Sequence, residues 1–218
     1  MLNRTIEKTL RTPAVARNVV QWAMKSVATT PNGSYYALIT AKVFTAFMFE
    51  GTVDRLGETL CPTWNQLGPR QNRGLARQPL AERHKAVRRF LQMDNSGREY
   101  QDISFLVDRL LTFRDSFAHP KACQEIVQDS VQSDLEPIPG ISWETEVEGA
   151  RIERDYRALE EYSIRLLDTA AACLEDTLTR GWDVWQQRYP HLDDLHLEAA
   201  YLRGFLHSPS HSSIDISL

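Results

Sequence analysis

The feature that most constrains this chain is the spacing of its apolar residues, which return every three or four positions through most of its length. In ISFLVDRLLTFRDSFAH, the positions Ile103, Leu106, Leu110, Phe113 and Phe117 fall on one side of a helix, as expected when one face lies in a core. Pro120 closes this run, because proline lacks the ladder N–H and drives the preceding residue out of the α region. The same period runs through Val15, Val19, Trp22, Ala23 and Val27. Thr12-Pro13 opens that helix as cap and first-turn proline, and Pro31-Asn32-Gly33 breaks it. Ser34 then caps a long helix through Tyr35, Leu38, Ile39, Val43, Ala46 and Phe47, continuing through Val53, Leu56 and Leu60.

Residues 62–78 read as an irregular connection holding Trp64 and Leu67. Pro79 starts a helix with Leu80, Val87, Phe90 and Leu91 as its apolar positions, ended by Asp94-Asn95-Ser96-Gly97. Asp102 is the expected cap of the following helix, and a short helix is expected over 122–128. The longest pattern spans 150 to about 189, from Tyr156 and Leu159 to Trp182 and Trp185, with Gly181 as its weak point and Pro190 as its stop. A last helix covers 195–206. Strand alternation is nearly absent; only 138–148, around ISWETEV, suggests a short β-hairpin. The expectation is an all-α helical bundle. It forms one domain over 1–206 with its core at about 30–190, and 207–218 forms a flexible tail.

Composition limits the function classes. With 218 residues, 42% hydrophobic and 25% charged, the chain is long enough for a core and is neither collagen-like nor low-complexity. Cys61, Cys123 and Cys173 form no closely spaced pair, so no disulfide framework or zinc site is implied. The stretch from Tyr35 to Phe49 carries Lys42 and is shorter than the roughly 20 residues of a membrane helix. The N-terminus MLNRTIEKTL lacks the apolar region of a signal peptide. A cytoplasmic protein is expected, with no membrane partner.

The net charge of −4 hides two opposed regions. From Arg70 to Arg98, seven arginines and Lys85 face only Glu82 and Asp94, a net +6. From Glu125 to Glu161, eleven acids face Arg151, Arg154 and Arg157, a net −8. The basic region can bind phosphates and the acidic one can cover it, within one chain or across a dimer. Two solvated helix faces explain the same charges. His84, amid Arg83, Lys85, Arg88 and Arg89, is open to both readings.

The most chemically pointed sequence is FRDSFAHPK. An arginine fork such as Arg114 holds a phosphate and stabilises a crowded phosphorane. A histidine such as His119 takes a proton from a 2′-hydroxyl or returns one to a leaving oxygen. That chemistry needs no metal or cofactor, and none is expected: His191, His196, His207 and His211 lack metal-ligand spacing. There is no GxSxG motif and no glycine-rich phosphate loop, and Ser34 is a cap. Trp182 and Trp185 read as core or dimer anchors. Five residues of ideal helix turn about 500°, so Arg114 and His119 point roughly 140° apart. They converge if the helix distorts near Pro120 or if a second copy completes the site. A salt bridge for Arg114 and a C-terminal cap for His119 are the structural alternatives.

Here the chain resembles the HEPN domains, helical bundles marked by an Arg, four to six residues and a His, often with Asn, Asp or His after the Arg. Arg114, Asp115 and His119 match that pattern. The helix SYYALITAKVFTAFMFEGTVDRLG, the Trp64 connection, the basic helix AERHKAVRRFL and FLVDRLLTFRDSFAHPK follow in a similar order, covering roughly residues 30 to 125. The resemblance implies a metal-independent endoribonuclease acting at a homodimer cleft, of the kind that serves as a toxin or phage-defence effector. His119 would be the acid/base, Arg114 the phosphate clamp, and Asp115 would orient one of them. Lys121, Arg83, His84, Arg88 and Arg89 would contact RNA. Pro120 and Lys121 follow the histidine, without the tyrosine of one toxin branch, so no paired nucleotidyltransferase antitoxin is inferred; any antitoxin or defence partner is left unassigned. Some members with similar motifs are non-catalytic binding modules for nucleotide, RNA or protein.

Overall fold

The computed structural model describes residues 12–29, 34–65, 74–118 and 143–206. These form seven α-helices and no strand: α1 (Thr12–Thr29), α2 (Ser34–Leu60), α3 (Leu80–Phe90), α4 (Arg98–Ala118), α5 (Trp143–Thr179), α6 (Trp182–Arg188) and α7 (Leu195–Arg203). A single 3-10 turn, Leu75–Arg77, precedes α3. The all-α bundle expected from the apolar spacing is therefore present.

Helix α2 is the centre of the bundle, packing against α1, α3, α4 and α5, while α5 also carries α7. It can face so many neighbours because its buried residues spread around much of its girth, from Ala37 and Ala41 to Leu38, Phe49, Val53 and Leu56. Its buried hydroxyls Thr45 and Thr52 donate to the carbonyls of Ala41 and Met48, four residues back, so they enter the core satisfied. Close packing of α1 on α2 depends on Gly51: a Cβ there would lie 2.6 Å from Pro13 Cγ. No helix among the described residues is long and apolar enough to cross a membrane.

One hydrophobic cluster runs from Ala16 in α1 to Leu206 after α7. Polar ties hold its ends. Arg17 pairs with Glu160 and donates to the Leu206 carbonyl at 3.1 Å. On the other side of α2, Arg55 and the Thr59 hydroxyl both bond to Glu198 of α7. His191 Nε2 lies 3.1–3.2 Å from the carbonyls of Glu58 and Thr59, giving a partner to C-terminal groups of α2 that the helix leaves open.

Four boundaries differ from the sequence reading. Helix α4 begins at Arg98 rather than after Asp102. The Asp94 carboxylate accepts from both the backbone N–H and the hydroxyl of Ser96, so the turn is complete earlier and Glu99 enters the first helical turn, where the macrodipole favours an acid. Helix α5 begins at Trp143, so the hairpin expected near 138–148 is replaced by helix over 143–148. The helix expected to run on to about residue 189 is two helices, because Gly181 adopts φ 99°, a left-handed conformation that interrupts the ladder cheaply only at glycine. Helix α7 begins at Leu195 as expected, behind Asp194, whose side chain accepts from the Leu197 N–H at 2.9 Å, but it ends at Arg203 rather than running on to 206. The short helix expected at 122–128 and the tail at 207–218 lie outside the described residues.

Candidate functional site

The described part of the FRDSFAHPK motif, residues 113–118, lies in α4. Arg114 there has a side chain about one-fifth exposed and is held from two directions. Its Nη1 donates to Glu50 Oε2 of α2 at 2.6 Å. Its Nε and Nη2 approach Asp115 Oδ1 at 3.0 and 2.9 Å. The guanidinium also lies 5.8 Å from the Phe47 ring centre, within cation–π range. His119 and Lys121 lie outside the described residues.

Glu50 connects Arg114 to α3. Its second oxygen, Oε1, accepts from Arg83 Nη2 at 2.5 Å, and Arg83 also pairs with Asp54, one helical turn further along α2. Burial alone would lower the Arg83 pKa, but its hydrogen bonds to Asp54 and Glu50 outweigh that and leave it raised. Arg83 therefore stays a cation inside the fold and fixes Glu50, which in turn fixes Arg114. The sequence reading did not single out Glu50. A carboxylate set among Ala46, Phe47, Phe49 and Val53 was the available signal, since an acid at the edge of an apolar helix face needs a partner.

The expected phosphate-binding strip on α3 is corrected in its geometry. Leu80, Arg83, His84, Val87, Arg88 and Leu91 are all buried, and their 3/4 spacing makes them one inward stripe. Phe90, expected in the core, is 44% exposed. Only Arg89 of the α3 candidates named for RNA contact points to solvent.

Arg88 is stitched into the interior: Nη1 donates to the Tyr162 hydroxyl at 2.5 Å, Nε to Asn95 Oδ1 at 3.1 Å, and Nη2 to the Asp94 carbonyl. His84 Nε2 lies 2.7 Å from the same Tyr162 hydroxyl, with the Phe49 ring edge-on at 5.3 Å. Burial raises the Tyr162 pKa against the pull of Arg88, so the phenol keeps its proton. Arginine can only donate, so the Tyr162 proton turns to His84, whose Nε2 accepts it and stays unprotonated. Burial, and then the Arg88 charge, push the His84 pKa down to about 4. This neutral imidazole is held within the fold.

The structure thus joins Arg114, Asp115 and Arg83 through Glu50, and joins His84 and Arg88 through Tyr162. Trp182 is 63% exposed and packs against Trp185 at 4.8 Å. The Trp185 indole donates to the Leu192 carbonyl, anchoring α6 to the segment before α7. Among the described residues, no group of three or more His, Cys, Asp or Glu side chains is placed to hold a metal ion. Two surface grooves, one lined by Gln21, Met24 and Tyr156 and one by Arg98, Asp102 and Arg165, contain none of the candidate catalytic residues. No protein-family model, no curated protein and no solved structure matches the chain.

Proposed function

We propose that the chain is a HEPN-like, metal-independent endoribonuclease that acts as a homodimer in the cytoplasm, in a toxin or phage-defence role. The observation that carries this reading is the mounting of Arg114: a guanidinium fixed by Glu50, partly open to solvent, five residues before His119. In this reading the Arg114 fork holds the scissile phosphate and stabilises the charge that builds on its oxygens. A His119 imidazole removes the 2′-hydroxyl proton, and the 2′-oxygen bonds to phosphorus. The bond from phosphorus to the 5′-oxygen then breaks, and that oxygen takes up a proton. The products are a 2′,3′-cyclic phosphate and a 5′-hydroxyl.

Five residues of ideal helix turn about 500°, and that spacing favours pairing across two copies. Tyr36, Val43 and Phe47 share one side of α2, with Tyr36 73% and Phe47 38% exposed. Because Phe47 lies against Arg114, a second copy seated on that side would bring the two motifs near each other. RNA incubated in chelator with the wild-type protein, Arg114→Ala and His119→Ala tests the reading. Cleavage ending in cyclic phosphate should fall at least 100-fold in each variant, as for loss of one transition-state donor or one general acid–base. Equal cleavage by all three would refute it.

A second reading, a non-catalytic interaction module, is favoured by the exposed aromatics Trp22, Tyr35 and Tyr36 on the first two helices and by the carboxylates already on Arg114. It predicts partner binding that survives His119→Ala.

A further inference from the structure

The two carboxylates on Arg114 are not equivalent. Glu50 is three-quarters buried and grips arginine with both oxygens, Arg114 through Oε2 and Arg83 through Oε1. Arg83 is itself 7% exposed, so losing Glu50 would leave that buried cation with Asp54 alone and cost one of its two ion pairs. Asp115 is different: its side chain is 63% exposed, it follows Arg114 directly in sequence, and among the described residues it pairs with Arg114. An exposed pair of that kind contributes little and is readily exchanged.

What Asp115 covers is the Nε/Nη2 edge of the guanidinium, where two N–H groups point the same way. That edge matches the two non-bridging oxygens of a phosphodiester. Charge narrows the ligand further. Arg83 and Arg114 face Glu50, Asp54 and Asp115, a net −1. With Asp115 swung out, the remaining four groups are neutral, and one monoanion restores the resident balance. A phosphodiester is a monoanion, whereas a terminal phosphate carries close to two charges at neutral pH.

Resting on the ribonuclease reading for its substrate, we infer that Asp115 is a displaceable stand-in for a backbone phosphodiester on Arg114, and that Glu50, clamped by Arg83, is the positioning residue that keeps the guanidinium in place during the exchange. Removing Asp115 then strengthens ligand binding through Arg114 specifically.

The probe is a fluorescein-labelled 2′-O-methyl oligonucleotide, which has the phosphodiester backbone but no free 2′-hydroxyl to attack. Its affinity is read by anisotropy for wild type, Asp115→Ala, Arg114→Ala and the double variant. Asp108→Ala, which removes another exposed α4 carboxylate, controls for general charge. Asp115→Ala should bind roughly fivefold tighter, the factor equivalent to an exposed ion pair at the upper end of its usual strength. That gain should vanish when Arg114 is also alanine, and Asp108→Ala should not reproduce it. The inference is overturned if Asp115→Ala binds no tighter than Asp108→Ala, or if the gain persists without Arg114; absence of binding in every protein counts as the first of these. Cleavage of unmodified RNA, run in parallel with His119→Ala, separates the two claims. The expected binding pattern without His119-dependent cleavage leaves a phosphodiester-binding site and removes the ribonuclease. His119-dependent cleavage without the pattern removes only the role given to Asp115.

Discussion

Acidification should destabilise this protein through His84 in particular. The imidazole is 2% exposed, has its Nε2 2.7 Å from the Tyr162 hydroxyl and shares that hydroxyl with the Arg88 cation at 2.5 Å; since arginine only donates, Nε2 is the acceptor that the hydroxyl proton faces. Protonation would turn its acceptor nitrogen into a second donor facing a hydroxyl hydrogen, and would place two cations around one buried oxygen. In the folded chain its pKa is therefore about 4, against 6.5 for an unperturbed histidine.

The folded-state value is the lower one, so the unfolded chain binds the extra proton first as pH falls. Stability due to this group is complete above about pH 6.5, is lost between 6.5 and 4, and changes no further below that window. At 1.36 kcal/mol per pKa unit, the full loss is about 3 kcal/mol, of which about 2 kcal/mol falls between pH 7 and pH 5. Urea unfolding followed by circular dichroism at those two pH values measures it. The comparison is with His84→Gln, which keeps an amide oxygen able to accept from Tyr162 but does not titrate. Wild type should lose about 2 kcal/mol more than the variant on moving from pH 7 to pH 5. Equal losses would show that His84 protonates as easily in the folded chain as in the unfolded one, and the argument from Tyr162 and Arg88 would fail.

Two further perturbations probe the packing that supports the site. A Cβ at Gly57 would lie 2.2 Å from the Trp64 indole, which is 1% exposed; Gly57→Ala should cost about 3 kcal/mol or more and shift Trp64 fluorescence, and an unchanged melting temperature would contradict this contact. Arg109 of α4 pairs with Asp155 of α5, whose side chain is 7% exposed. Arg109→Met should cost about 2 kcal/mol, less than a fully buried pair because Arg109 is one-third exposed. Adding Asp155→Leu should recover most of it by removing a buried carboxylate left with the more distant Arg154 at 3.7 Å, and urea midpoints read both steps.

Much of the fold was legible in the apolar spacing. Of the apolar positions read in α4, Ile103 and Leu110 are buried, while Leu106 and Phe113 are half-buried and Val107, which was not singled out, completes the buried face; Pro120 lies outside the described residues. Misreadings arose where local chemistry competed closely. Asp94 closed its turn sooner than Asp102 could, and 143–148 are helix rather than part of a hairpin. Gly181 was recognised as a weak point, but its positive φ, which divides α5 from α6, depends on how the chain turns to place Trp185 near Leu192.

The electrostatic map was harder to read, because a residue type does not state its side of the helix with certainty. Arg83, His84 and Arg88 looked like part of a solvated or phosphate-facing strip. Their 3/4 spacing with Leu80, Val87 and Leu91 in fact made them the polar part of a buried face, tolerable only because Glu50, Asp54 and Tyr162 stand opposite.

By itself the sequence determined the helical class and the course of most helices among the described residues. These follow from interactions within a few residues: apolar periodicity, caps, and the missing proline N–H. Tertiary structure alone decided which charges are sealed inside and which carboxylate steadies Arg114. Glu50 is 64 positions away from it, and a contact of that separation exists only once α2 and α4 have packed and the water between their side chains has gone.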